Sequence, residues 1–108
     1  MMNIQELTDK SQEAAELLSL LANPQRLKIL CALLAGERYV GELVRDIGLS
    51  QSALSQHLAR LREGGVVTVR REAQTIYYSI ADERAARILA VLEDLFCKPE
   101  TDEDGGRT

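Results

Sequence analysis

The sequence predicts a mainly α-helical domain carrying one small β-hairpin, and three observations lead there. Apolar residues recur at helical spacing through most of the 108-residue chain. That spacing gives way once, at "VVTVRREAQTIYYSI", to a run dense in Val, Thr, Ile and Tyr. Aromatic residues make up only 4 % and Trp is absent, so the core has to be built from Leu and Ala, which favour helices. A chain of this length supports one hydrophobic core.

Each element follows from local chemistry. Ile4, Leu7, Ala14, Ala15, Leu18 and Leu21 recur at helical spacing, which predicts an amphipathic helix from Ile4 to Leu21. Asn23 is a favoured cap and Pro24 suits a first helical position, so a second helix runs from Pro24 to Ala35 and closes near Gly36. It is apolar almost all round, through Leu27, Ile29, Leu30, Cys31, Leu33 and Leu34, and belongs in the core. A connector, "GERY", leads to "VGELVRDIG", a short helix holding Leu43 and Ile47 and stopped by Gly48. Ser50 caps the next helix, Gln51 to Arg62, whose Leu54, Leu58 and Leu61 form one stripe before Gly64-Gly65 ends it. Two short helices joined by "GLS" make a helix-turn-helix. Strands follow at about Val67 to Arg71 and Thr75 to Ile80, separated by a polar break. After the cap Asp82, helical spacing resumes through Ala85, Ile88, Leu89, Leu92, Leu95 and Phe96, and Cys97 falls at its end. The order α-α-α-α-β-β-α is a winged helix-turn-helix with an extra helix at each end. Residues 1–97 form this domain, and the acidic tail "KPETDEDGGRT", residues 98–108, is expected to be disordered.

Composition narrows the function. No run approaches the roughly 18 apolar residues of a membrane span, and the acidic N-terminus does not resemble a signal peptide, so a cytoplasmic protein without membrane contact is expected. The net charge of -4 argues against indiscriminate nucleic-acid binding, but charge is unevenly placed. Residues 38–75 hold six Arg against four acids, whereas residues 1–22 total -3 and residues 76–108 total -4. The middle is basic and both ends are acidic.

The helix "QSALSQHLARLR" carries the functional signal. With Leu54 set inward and about 100° per residue, Ser52, Gln56 and Ala59 lie opposite it, flanked by Ser55 and Arg60. No acid occurs on that side before Glu63. Gln can pair bidentately with adenine, Ser can donate or accept, and a small Ala allows close approach, which is the chemistry of major-groove readout. A solvated face of an ordinary helix explains the same residues taken alone. The hairpin tip changes the balance, because Arg70 and Arg71 stand where a wing meets phosphates or the minor groove. The candidate contacts to double-stranded DNA are Ser50, Gln51, Ser52, Ser55, Gln56 and Arg60 on the helix, with Arg70, Arg71 and Gln74 on the hairpin. His57 lies about 60° from the Leu stripe and is expected at the edge of the core. As the only His in the chain, with no Cys near it in sequence, it makes a poor metal ligand. No catalytic motif and no cofactor site is found, so an enzyme is not expected.

The stretches "LANPQRLKILCAL", "VGELVRDIGLSQSALSQHLARLREGGVV" and "RREAQTIYYSI" resemble the ArsR/SmtB family of small dimeric bacterial repressors, from about Glu13 to Phe96. The resemblance implies a homodimer joined through its first and last helices, placing two recognition helices in successive major grooves of a near-palindromic operator. Two familiar metal-ligand patterns of that family are missing. "YVGELV" stands where a Cys-x-Cys would, and "DERAARILAVLEDLFC" has no His. Cys31 and Cys97, 66 positions apart, match instead the dithiol subgroup that senses persulfides and other reactive sulfur species, which includes repressors of sulfide-oxidation operons and a toxin-gene regulator of vibrios. The resemblance implies that the two sulfurs become joined by a disulfide or polysulfide bridge and that DNA is then released. Without it, each Cys reads as a small buried hydrophobe. Response to another oxidant or a thiophilic metal, and use of the fold as a protein-interaction module, remain alternatives.

Overall fold

Helix caps determine where most elements begin. A computed structural model describes residues 3–97, in the order α1 (Ile4–Leu21), α2 (Pro24–Leu34), β1 (Arg38–Tyr39), α3 (Val40–Ile47), α4 (Gln51–Glu63), β2 (Val67–Glu72), β3 (Thr75–Ile80) and α5 (Glu83–Phe96). The tail at residues 98–108 lies outside the described residues. Asn3 accepts from the Gln5 N–H at 2.8 Å, Asn23 from Gln25 and Arg26 at 2.9 and 3.1 Å, Ser50 from Ala53 at 3.1 Å, and Asp82 from Arg84 and Ala85 at 2.8 and 3.3 Å. Each bond satisfies amide groups that a first helical turn leaves without a partner. α3 starts differently, with the Glu42 carboxylate reaching back to the Tyr39 N–H at 3.1 Å. It stops at Gly48, whose φ of 88° lies in the left-handed region that glycine enters without a Cβ penalty.

The Leu stripe of α4 lies at the centre of the domain. Leu54, Leu58 and Leu61 are fully buried with Ile29 and Leu30 of α2, Leu43 of α3, Val66, and Ala85 and Leu89 of α5. Leu17 and Leu21 bring the C-terminal half of α1 onto the same core. That attachment is reinforced by Arg26, 8 % exposed, whose Nε donates to the Leu20 carbonyl at 2.7 Å and whose second guanidinium nitrogen donates to that of Ser19 at 3.2 Å. The other two carbonyls of the last turn are taken by backbone, Leu18 by Ala22 and Leu21 by Asn23. The end of α1 is therefore closed by a side chain of α2, a favourable place for a cation.

The sheet departs from the expectation in one respect. The stretch read as a connector contains β1, which pairs antiparallel with β3 and makes three strands in the order β1-β3-β2. Two residues are too few to show a period, and Tyr39 also begins α3, so no sequence pattern could mark the strand. The hairpin is otherwise close to expectation, with β2 extending one residue further to Glu72, opposite Thr75. Its tip is the pair Ala73 and Gln74, and Ala73 sits at φ 57°, where Gly or Asn is the commoner residue.

Candidate nucleic-acid interface

Burial of the Leu stripe leaves the opposite side of α4 in solvent. Gln51, Ser52, Ser55, Gln56 and Arg60 are all exposed, and none of their side chains makes a hydrogen bond or ion pair among the described residues. Ser50 is exposed too, but its hydroxyl accepts from the Ala53 N–H and serves the helix as its cap. His57 is half-buried and lines a shallow cleft with Arg26, Gln56, Ala59, Arg60 and Glu63. The face is thus a row of unengaged donors and acceptors on a rigid element, with its first acid at Glu63.

Strand register decides what the wing presents. Val69 opposes Tyr78 and Arg71 opposes Ile76, so these four share one face, and Arg38 joins them by pairing with Tyr78. Tyr78 also borders a cleft with Ser55, Ala59, Arg62 and Glu63, which identifies this as the face turned toward α4. Arg71 and Gln74 are exposed and make no side-chain bond among the described residues. Arg70 is sent to the other face and is held there by Glu37 and Glu72. Arg38, Arg62 and Tyr78 were not singled out from the sequence. Arg38 was missed because β1 was, and the other two gain their place only from the packing of the hairpin beside α4.

The two thiols lie on neighbouring elements. Cys31 is half-buried on α2, Cys97 is exposed at the C-terminal cap of α5, and the two are free of any disulfide. Burial pushes the Cys31 thiol above the ordinary thiol range, and the negative charges of Cys97 and Glu93 push it further. The helices that carry the two thiols, α2 and α5, pack against one another. Among the described residues no group of three or more His, Cys, Asp or Glu side chains is placed to hold a metal ion.

Residues 23–69 match the family described as bacterial regulatory protein, arsR family. Over 97 residues, covering 90 % of this chain and 90 % of the other, the sequence is 47 % identical to the transcriptional activator HlyU of Vibrio cholerae serotype O1. The fold is similar to the crystal structure of the transcriptional repressor BigR from Xylella fastidiosa, with a TM-score of 0.84 and 39 % identity, covering 91 % of this chain and all of that one. It is also similar to reduced HlyU from Vibrio cholerae, with a TM-score of 0.83 and 47 % identity over 87 % of this chain and 99 % of that one. An open polar face on α4, a wing beside it and likeness along nearly the whole chain agree: the protein belongs to the ArsR family of DNA-binding transcriptional regulators and is not an enzyme.

Proposed function

We propose that the protein is a cytoplasmic homodimeric repressor that grips operator DNA through paired α4 helices and releases it when persulfide joins Cys31 to Cys97. The observation that carries the DNA reading is the exposed face of α4, where Gln51, Ser52, Ser55, Gln56 and Arg60 have no partner within the described chain. Gln and Ser read base edges, Arg60 suits a flanking phosphate, and Arg71 and Gln74 extend the contact along the wing. Dimerisation is supported by large apolar side chains left in solvent on the two outer helices: Ile4, Leu7 and Leu18 of α1, and Val91, Leu95 and Phe96 of α5. Phe96 is 79 % exposed, an arrangement that calls for a cover.

The switch reading rests on the packing of α2, which carries Cys31, against α5, which ends at Cys97, and on the likeness to HlyU, one of whose structures is specified as reduced. The exposed Cys97 thiolate attacks the outer sulfur of a persulfide RSSH, forming Cys97–S–SH and releasing RS⁻. The Cys31 thiolate then attacks the inner sulfur, which closes a disulfide and expels HS⁻. If Cys31 has itself been persulfidated, its outer sulfur makes the attack and a trisulfide forms, again with loss of HS⁻. A plain disulfide needs alpha carbons within about 7 Å, and the longer bridge relaxes that limit. Strain between α2 and α5 then changes the separation of the α4 helices, and a hundredfold loss of affinity requires only about 2.7 kcal/mol of coupling.

Mobility shift with the DNA upstream of the gene, before and after persulfide, tests both halves. The wild type should bind when reduced and release when treated, mass spectrometry should find an intramolecular link, and Cys31→Ser or Cys97→Ser should remain bound. Release of the double Cys variant by persulfide would refute the switch, and failure of the reduced wild type to bind would refute the DNA reading. Parallel treatment with peroxide, zinc and arsenite separates reactive sulfur from another oxidant or a thiophilic metal.

A further inference from the structure

Arg70 and Arg71 are adjacent in sequence, and strand alternation sends them to opposite faces of the wing. Arg71 lies on the face toward α4 with no partner among the described residues. Arg70 is exposed, with half of its side chain open to solvent, yet its guanidinium is fully engaged. Its Nε and one terminal nitrogen donate to the two oxygens of Glu37 at 3.0 and 2.9 Å, and its other terminal nitrogen donates to Glu72 at 2.8 Å. The guanidinium carbon lies over the Tyr77 ring, 4.6 Å from its centroid. Tyr77 in turn meets Tyr39 edge to face, with centroids 5.9 Å apart and planes at 84°.

We propose that Arg70 is a positioning residue: it ties the wing to the segment leaving α2, sets the angle of the hairpin against α4, and gives no bond to DNA. This rests on the DNA-binding reading above and revises which wing cation meets the phosphate backbone. Paired, in-plane bonds to a carboxylate are the geometry arginine holds best. Turning Arg70 toward a phosphate would exchange three charge-assisted bonds and a ring contact for one new anion. It would also leave Glu37 and Glu72 uncompensated beside the polyanion. The pair persists across the neutral range, because its bonds to Arg70 hold the Glu37 carboxyl below the usual carboxylate range. Glu37 follows the last residue of α2, Leu34, by three positions, so a displacement of α2 reaches the wing through this contact.

Charge reversal separates positioning from direct contact. DNA affinity is measured against salt for the wild type, Arg70→Ala, Arg71→Ala, Arg70→Glu, and Arg70→Glu combined with Glu37→Arg. Amide hydrogen exchange in β2 and β3 is followed in the same proteins without DNA. Arg70→Ala should weaken binding by about fivefold, the scale of one well-formed surface pair, with an unchanged salt slope. Arg71→Ala should reduce that slope by about 0.9 for each phosphate it no longer neutralises. Arg70→Glu should bind worst, and the reversed pair should recover most of the loss. A reduced slope in Arg70→Ala, or no recovery in the reversed pair, overturns the proposal. Wild-type protein without affinity for DNA would sink the DNA reading instead. The exchange data decide the structural tie independently, since unaltered protection of β2 and β3 in Arg70→Ala would overturn it.

Discussion

Replacing Arg26 with Met tests how firmly α1 is fixed to the rest of the domain. Met keeps much of the aliphatic stem, so the substitution removes mainly the two guanidinium bonds, to Leu20 at 2.7 Å and Ser19 at 3.2 Å. A hydrogen bond to a charged group contributes about 1.5–3 kcal/mol, and the exposed Ser19 gives water access to one orphaned carbonyl, so the low end of the range applies. Burial, and to a lesser extent repulsion from Arg60, lowers the Arg26 pKa, and relief of both is a second reason to take each bond at that low end. The expected loss is about 3 kcal/mol. In urea that moves the unfolding midpoint down by about 1.5 M, taking a slope of about 2 kcal/mol/M. Wild type and variant have to be compared at one protein concentration, because association stabilises the folded state by mass action. A midpoint within about 0.3 M of wild type would show that Arg26 does not hold the end of α1 and would refute the reasoning.

Three further outcomes are expected. Gln56→Ala should lower specific DNA affinity by about 1–3 kcal/mol per half-site while leaving the melting curve unchanged, because the side chain bonds to nothing in the described chain; equal losses on specific and random DNA would contradict a reading role. Leu58→Ala, at a fully buried position, should destabilise by about 2–5 kcal/mol in denaturant titration, and a loss below about 1 kcal/mol would mean the α4 stripe is not packed as described. Because Cys31 titrates above the ordinary thiol range, it is largely protonated at neutral pH, and the closing step should accelerate about tenfold per pH unit until that raised pKa is passed. Glu93→Gln removes one of the charges that raise it and should make closure faster at neutral pH; time-resolved mass spectrometry showing a slower or pH-independent step would contradict this assignment.

The helices were legible in the sequence because their signals are local, whereas a joint role for Cys31 and Cys97, 66 positions apart, is implied only by the family resemblance. Leu54, Leu58 and Leu61 repeat often enough to define an inside, and once the inside is known Ser52 and Gln56 must face out. The caps at Asn23, Ser50 and Asp82 are equally local, since side chain and amide partners lie within three residues of each other. What escaped depends on contacts between distant segments. Arg70 looked like a free wing cation because Glu37 lies 33 positions away, and nothing in either segment announces the other. β1 has no identity apart from its pairing with β3, and Tyr78 owes its place in the cleft to the packing of the hairpin beside α4. The burial of Arg26, a residue that its own segment gives no reason to single out, is explained only by the carbonyls of α1 that it reaches.

The strand order leaves β2 as one of the two borders of the sheet, with no strand paired to its outer side among the described residues. Arg70, Arg71 and Glu72 stand along that border, where charged side chains discourage two molecules from zipping together into a longer sheet. Neutralising them would therefore invite clumping as well as altering any grip on a polyanion. A wing variant that loses activity has to be shown still dispersed, by light scattering for instance, before its defect is charged to recognition.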